Sequence, residues 1–330
     1  MSILNFIKPK EDSIYTPLNS IRVKITDNCN WNCWWCHNEG TGNRNQKLIQ
    51  NVDFFDEAFF VDFLEVTREL DICEVHLTGG EPSMHPKIDC IIRKLKESGF
   101  IVKMTSIGGN KRVFEKIIDS GIDGINFSLH AIDKNEMYGT QVDRSERWIE
   151  QNHKKLMELI EYMRSRGVNV KINTVVASSD DYKRAYDVMR WASMRKIGIR
   201  ILNEVERNEQ SIEAIKFFLE SLGGIEKYRK YILGSSSGTI FYDVPKIGEV
   251  GFKILIPNYL QSMCKNCKIR EKGKCGEYFY GIRLENLLGS YNIRLCVHKS
   301  TPATYYRFSE FKYSSVFKEL KGKSNEGIRS

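Results

Sequence analysis

Three cysteines, Cys29, Cys33 and Cys36, form a C-x3-C-x2-C array. Thiolate is the soft ligand that iron–sulfur clusters use, so three thiolates on one short loop can hold three corners of an iron–sulfur cube. No fourth cysteine lies on this loop, so one iron would stay open to a group that is not protein. A structural zinc site is the competing reading. Such sites close at four ligands and would need one such as His37. Downstream, the dipeptide Gly79-Gly80 precedes Glu81-Pro82, where glycine lets backbone approach a ligand and a carboxylate favours an ammonium. A second cysteine group, Cys264, Cys267, Cys275 and Cys296, lies near the C-terminus.

The elements that must carry these residues alternate. Ile21 to Thr26 has the apolar alternation of a strand and runs into the cysteine loop, and Thr41 to Gln50 reads as a polar loop. Phe54 to Leu70 then has helical spacing. Cys73 to Thr78 reads as a strand, Ile88 to Ser98 as a helix, Phe100 to Thr105 as a strand and Lys111 to Ser120 as a helix. Gly124 to Leu129, Arg147 to Arg166, Val168 to Val176, Asp180 to Met194, Ile197 to Leu202 and Ser211 to Leu222 continue the series, with Gly99, Gly121 and Gly167 as helix stops. That makes about six βα units, hence a parallel sheet with right-handed crossovers. Ligands sit at the C-terminal ends of strands in such folds, which is where the cysteine loop and the Gly79-Gly80 turn fall. Beyond Gly224 the pattern changes. Thr239 to Ile256 reads as a hairpin and Phe308 to Leu320 as one short amphipathic helix. Cys73 and Cys90 read as core residues.

The 330 residues are 41% hydrophobic, enough for one large domain and a smaller module. No signal peptide or membrane span is apparent, and a cytoplasmic, reducing setting is expected, in which nine cysteines point to metal or catalysis rather than disulfides. The net charge of +8 fits an anionic ligand. The cations are dispersed rather than bunched into an arm, so no nucleic-acid partner is expected.

The cysteine triplet after a strand, followed by Thr78-Gly79-Gly80-Glu81-Pro82, resembles the radical S-adenosylmethionine (SAM) superfamily from about Pro17 to Leu202. The resemblance implies a [4Fe–4S] cluster on Cys29, Cys33 and Cys36, with SAM on its open iron. It also implies reductive release of a 5′-deoxyadenosyl radical that abstracts hydrogen from a substrate. By the same resemblance Gly79, Gly80 and Glu81 bind the SAM amino group. Ser128, in the segment Asn126 to Ala131, reaches SAM, and Trp35 lies against the adenine. His130 stands where that segment usually has an acid and reads as a structural histidine. Trp31 and Trp34 shield the cluster.

Within the superfamily, IRVKITDNC, VNVKINTVV and CKNC…GIRL…LC are similar to the GTP cyclase subfamily of molybdenum-cofactor biosynthesis. That similarity implies substrate contacts at Arg22, Thr105 and Lys171, and adds Arg283 of the Gly281-Ile282-Arg283-Leu284 segment. It further implies an auxiliary [4Fe–4S] cluster at Cys264, Cys267 and Cys296. Cys275, within a longer spacing than the cyclases have, allows four protein ligands, in which case substrate does not bind iron there. A zinc knuckle is the competing reading. His76 replaces a cyclase arginine, and the chain ends in Gly327-Ile328-Arg329-Ser330 rather than a Gly-Gly tail.

The expected architecture is α/β, a partial (β/α)6 barrel of the radical SAM type with a small C-terminal α+β iron–sulfur module. The expected segments are an N-terminal extension (1–16), the barrel (17–223), the auxiliary module (224–307), and a C-terminal helix and tail (308–330). The expected substrate is a small anionic molecule of nucleotide, nucleoside or sugar type, with a flavodoxin- or ferredoxin-type electron donor. A peptide-modifying radical SAM enzyme is the alternative enzyme, and an iron–sulfur electron carrier the alternative that is no enzyme.

Overall fold

The computed structural model describes residues 3–36, 51–298 and 300–326. His37, the loop Thr41 to Gln50 and the last four residues lie outside the described residues. The chain begins with α1 (Ile3–Ile7), β1 (Ile14–Thr16) and β2 (Ser20–Thr26). The βα series follows: α2 (Glu57–Glu69), β3 (Glu74–Gly79), α3 (Ile88–Glu97), β4 (Ile101–Ser106), α4 (Lys111–Asp119), β5 (Gly124–Ser128), α5 (Lys134–Gly139), α6 (Glu146–Ser165), β6 (Asn169–Val176), α7 (Tyr182–Met194), β7 (Gly198–Asn203) and α8 (Asn208–Ser221). The remainder comprises β8 (Ile225–Ile232), β9 (Ser237–Val244), β10 (Gly248–Leu255), α9 (Gln261–Cys264), α10 (Lys268–Glu271), β11 (Ile282–Leu287), β12 (Ser290–Arg294), β13 (Tyr305–Arg307), α11 (Phe308–Phe311) and α12 (Ser315–Glu326).

The thirteen strands among the described residues join one curled sheet in the order β1-β8-β9-β10-β7-β6-β5-β4-β3-β2-β11-β12-β13. The six expected strands, β2 to β7, are consecutive and parallel. The region after residue 224 extends that sheet at both edges. The β9–β10 hairpin continues β7, and β11 pairs with β2. On these strands apolar core residues alternate with polar ones: Ile21, Val23 and Ile25 on β2 and Val170 and Ile172 on β6 are buried, with Arg22, Lys24 and Lys171 between them.

Local chemistry sets the helix ends. Asp56 caps α2, its carboxylate accepting from Phe59 N at 3.2 Å, and α2 buries Phe59, Phe60, Phe63 and Val66. Gly167, just past α6, has φ +80°, a conformation that stops a helix at little steric cost only for glycine. Two expectations differ. The stretch Phe308 to Leu320 is two helices, because the chain turns at Lys312 to Ser314 so that both Phe311 and Phe317 are buried. Cys73 and Cys90 are exposed, not core. The buried stripe of α3 runs through Ile88, Ile91, Ile92 and Leu95, and Cys90 lies off it, while Cys73 stands just before β3 and its thiol accepts from Asn19 Nδ2 at 3.4 Å.

The turn after β3 lies directly against the cysteine loop. Gly80 N donates to Thr26 O at 2.8 Å and Glu81 N to Asn28 O at 2.7 Å. A Cβ on Gly79 would stand 2.3 Å from Thr26 O, and one on Gly80 2.3 Å from Asn28 O. These are backbone atoms, so relief requires moving the loop that carries Cys29. Gly80→Ala should therefore destabilise the fold by at least ~2 kcal/mol in urea unfolding. It should also reduce the iron retained after anaerobic reconstitution, whereas a wild-type midpoint and iron content would show that the loop yields freely.

Candidate active site

One cavity of about 750 Å3 opens along the concave face of the sheet. It is lined at one end by Cys29, Cys33, Cys36, Trp35, Gly79, Gly80, Ser128 and His130, and elsewhere by Arg22, Thr105, Lys171 and Arg283. The expected site residues among these, all but His130, therefore meet in one space.

At the cysteine end, burial first and the Glu81 charge second push the Cys29 thiol up to about 12, with Cys33 and Cys36 adding to the rise. No three His, Cys, Asp or Glu side chains among the described residues are drawn into a metal-holding group as they stand. The donor chemistry nonetheless fits a cluster. The three thiols are of the soft type, face one cavity, and lie within electrostatic reach of one another. Gln141 was not foreseen from the sequence. Its Nε2 donates to Cys33 Sγ at 3.2 Å, and its Oε1 accepts from Asn32 N at 2.9 Å. Amide donors to sulfur of this kind tune iron–sulfur potentials.

Glu81 is 1% exposed, and both carboxylate oxygens are engaged. Oε1 accepts from Ser83 N at 2.9 Å and Ser106 Oγ at 2.7 Å, and Oε2 accepts from Ile107 N at 2.7 Å. Its carboxylate thus ties the end of β3 to the end of β4. Burial raises its pKa, and these hydrogen bonds oppose the rise.

Trp35 meets His130 edge-on at 4.8 Å, with the Arg184 guanidinium 5.7 Å from the indole. Arg184 also donates to His130 O, Val175 O and Asp181 Oδ1. His130 is not the internally satisfied histidine expected. Its buried Nδ1 has no hydrogen-bond partner among the described residues. His130, Trp35 and Ser128 share one cavity wall beside the cysteines, and that wall, aromatic and polar, fits a polar organic ligand. Trp31 is a core residue packed edge-on against Trp148 at 5.1 Å, and Trp34 is 42% exposed.

The middle of the cavity is cationic, and strand register builds it. Arg22 on β2 lies between Arg283 on β11 and His76 on β3, and His76 pairs in turn with Lys103 on β4. One step along the strands, Thr105, Asn126 and Lys171 form another row, and Asn173 pairs with Arg200. Glycines neighbour the large cations: Gly198 is paired with Lys171, and Gly251 with Arg200. A Cβ on Gly251 would lie 3.2 Å from Arg200 Cγ, so the glycine leaves room for that stem.

Some of this charge is neutralised. Lys103 pairs with Glu74, and Arg283 with Glu277 at 2.5 Å. His76 Nε2 and Thr105 Oγ1 share a hydrogen bond of 2.7 Å. Lys171, Arg200 and Lys253 have no carboxylate partner among the described residues. Arg200 Nε donates to Asn173 Oδ1 at 3.1 Å, and Lys253 Nζ donates to Ser237 Oγ. Burial first, then neighbouring cations, lowers the pKa of each. Tyr280 stands among them, with Arg22, Lys253 and Arg283 at 5.8, 5.3 and 5.3 Å from its ring. The Lys253 ammonium, with Arg22, Arg200 and Arg283 behind it, holds the Tyr280 phenol below the ordinary range against its own burial. Arg200, Lys253 and Tyr280 were missed in the sequence, where nothing but their residue types marks them.

The second cysteine group also converges. Burial, then the charges of Cys275, Cys296 and Cys267, push Cys264 up to about 11. Glu277 fastens this corner. Besides Arg283 it accepts from Val297 N at 2.7 Å, so it links the Cys275 loop to the residue after Cys296. Arg283, an expected substrate contact, is thereby half of a buried ion pair. Removing one partner of such a pair typically costs ~3–5 kcal/mol.

A half-barrel of parallel strands with a soft three-cysteine loop at their C-terminal ends defines an iron–sulfur enzyme class. The family model "Radical SAM superfamily" matches residues 23–192, and the chain belongs to that superfamily. It is 27% identical over 218 residues to a probable GTP 3′,8-cyclase of Pyrococcus horikoshii, covering 66% of each chain. It is 29% identical over 197 residues to the GTP 3′,8-cyclase of Staphylococcus aureus, covering 58% of this chain and 56% of that one. The matched region thus spans no more than about two thirds of these relatives. Among solved structures, Streptococcus suis SuiB bound to S-adenosylmethionine superposes with a TM-score of 0.55 at 12% identity, covering 92% of this chain and 68% of that one. No helix among the described residues is long and apolar enough to cross a membrane.

Two buried histidines, His130 and His85, give a pH prediction. Burial, then Arg184, pushes His130 down from 6.5 to about 3, and burial pushes His85 from 6.5 to about 4. Both stay neutral when folded, while the unfolded chain takes up their protons below 6.5. Stability present above pH 6.5 should therefore be lost as pH falls, at up to ~1.4 kcal/mol per unit for a fully buried site. Urea midpoints from pH 7 to 4.5 should decline, and His130→Gln should flatten the decline; an unchanged slope would show that His130 titrates normally.

Proposed function

We propose that this radical SAM enzyme abstracts hydrogen from a small anionic substrate, of nucleotide, nucleoside or sugar-phosphate type, held in the middle of the cavity. The observation that carries the reading is the surplus of cations lining the cavity. Lys171, Arg200 and Lys253 line a cavity without a carboxylate partner among the described residues. Like charges crowded into one cavity and partly removed from water repel one another, so an anion arriving as ligand stabilises such a cluster. Arginine offers a planar fork for phosphate or carboxylate oxygens, and lysine a point charge beside it. The cyclase relatives are named for a nucleotide triphosphate, which has the same chemistry.

Cys29, Cys33 and Cys36 would hold the cluster. Gly79, Gly80, Ser128 and Trp35 would hold SAM, with His130 in the same wall. When bound, cluster and SAM supply one-electron reductive cleavage of a sulfonium. The chain's part is to hold the substrate anion away from the cysteine loop, so that its neutral portion is presented toward it. Trp31 and Trp35 border the cavity beside the cysteines and exclude water there. Cys264, Cys267, Cys275 and Cys296 would hold a second [4Fe–4S] cluster. With four protein thiolates it has no iron to offer a substrate, and it serves as an electron relay or a staple.

Calorimetry against nucleoside triphosphates, sugar phosphates and neutral nucleosides tests the substrate class. Anionic ligands should bind and neutral ones should not. Lys253→Met and Arg200→Met should each weaken binding by ~10–100-fold, the range of a charge-assisted hydrogen bond. Equal binding of neutral nucleosides, or unchanged affinity in both variants, would overturn the reading.

A further inference from the structure

The segment joining Cys264 to Cys275 carries Lys265, Lys268, Arg270, Lys272 and Lys274 against one acid, Glu271. Lys265, Lys268, Lys272 and Lys274 are exposed, and Arg270 is half-buried against the Tyr259 ring at 4.7 Å. The four lysine side chains form no ion pair or hydrogen bond among the described residues. Lys94, Lys96, Lys134 and Lys183, by contrast, each hold a carboxylate. The lysine face therefore keeps a net positive field that the fold does not use. It is borne by the segment that joins Cys264 to Cys275, in which Cys267 and Cys275 are half-buried.

The geometry points to this face as the docking surface for an acidic one-electron carrier protein, of flavodoxin or ferredoxin type, feeding the second cysteine group. The inference rests on the proposed second cluster. Concentrated unpaired charge of one sign steers an oppositely charged partner and orients it, with little demand for a large apolar contact. Docked here, the carrier's redox centre faces the Cys267–Cys275 edge. One electron leaves the reduced carrier, which is oxidised by one unit, and enters the cluster, which is reduced by one. No bond forms or breaks, and no proton moves. Cys264 is buried and Cys296 half-buried, so the same group reaches from the lysine face toward the cavity lined by Glu277 and Val297.

The test measures affinity of the reconstituted enzyme for a purified acidic flavodoxin. Wild type should bind with an affinity that falls steeply between ~50 and ~300 mM salt, as screening dictates. The variant Lys268→Glu/Lys272→Glu/Lys274→Glu should bind at least ~10-fold more weakly, with a shallower salt slope. Its iron content and its dithionite-driven deoxyadenosine formation should match wild type, since none of the three lysines lines the cavity. Unchanged affinity in the variant overturns the proposal. So does a salt-independent wild-type affinity, which needs no variant to fold. Iron counting separates this from the underlying reading. About four irons per wild-type chain instead of about eight would remove the second cluster, whereas a binding failure at about eight irons removes the docking surface alone.

Discussion

Two loops from different strands touch backbone to backbone at the mouth of this half-barrel, and the site depends on that contact. Gly79 and Gly80 lie so close beneath Thr26 and Asn28 that any side chain would force the loops apart. The approach sets the height of Cys29 over the sheet. Glu81 then extends the constraint to the next strand, because its buried carboxylate bonds Ser106 and Ile107 at the end of β4. From the far side, Gln141 holds Cys33 and Asn32. The three-cysteine loop is thus fixed by neighbours that are not themselves ligands. A site meant to leave one metal position open needs such support, since no fourth protein ligand closes its geometry.

The second organising feature is electrostatic. Parallel pairing carries Arg283, Arg22, His76 and Lys103 into one row, and Lys171 and Arg200 into rows nearer the strand ends. Carboxylates neutralise Lys103 and Arg283 and leave Lys171, Arg200 and Lys253 without one among the described residues. The same cations hold the Tyr280 phenol below its ordinary range. Beside the cysteines the wall is instead aromatic and polar, with Trp31, Trp35, Ser128 and His130. One cavity therefore has an end suited to a sulfonium cofactor and a middle suited to an anion.

Much of this was legible in the sequence, because the informative features are local. Three cysteines in a short array, a Gly-Gly turn after a strand and glycine helix stops depend on near neighbours, and they located the cysteine loop, the turn and six parallel strands. What was not legible depends on register and curl. Lys253 lies on a hairpin strand whose place beside β7 cannot be read from its own residues, yet that placement points it into the cavity with Arg200. Tyr280 lies in a segment without regular structure. Gln141 meets Cys33 from 108 positions away. His130 looked like a satisfied structural residue because its type says nothing of the missing partner at Nδ1. Cys73 and Cys90 misled in the opposite sense, since cysteine's usual preference for burial yields to the face of the element it occupies.

The measurement that bears most directly on this account is 5′-deoxyadenosine release by anaerobically reconstituted protein given SAM and dithionite. The account predicts release that depends on Cys29, Cys33 and Cys36 together, each Cys→Ala variant abolishing it while retaining the fold. A protein with its full complement of iron that yields no deoxyadenosine, or a Cys29→Ala variant that yields as much as wild type, would contradict it.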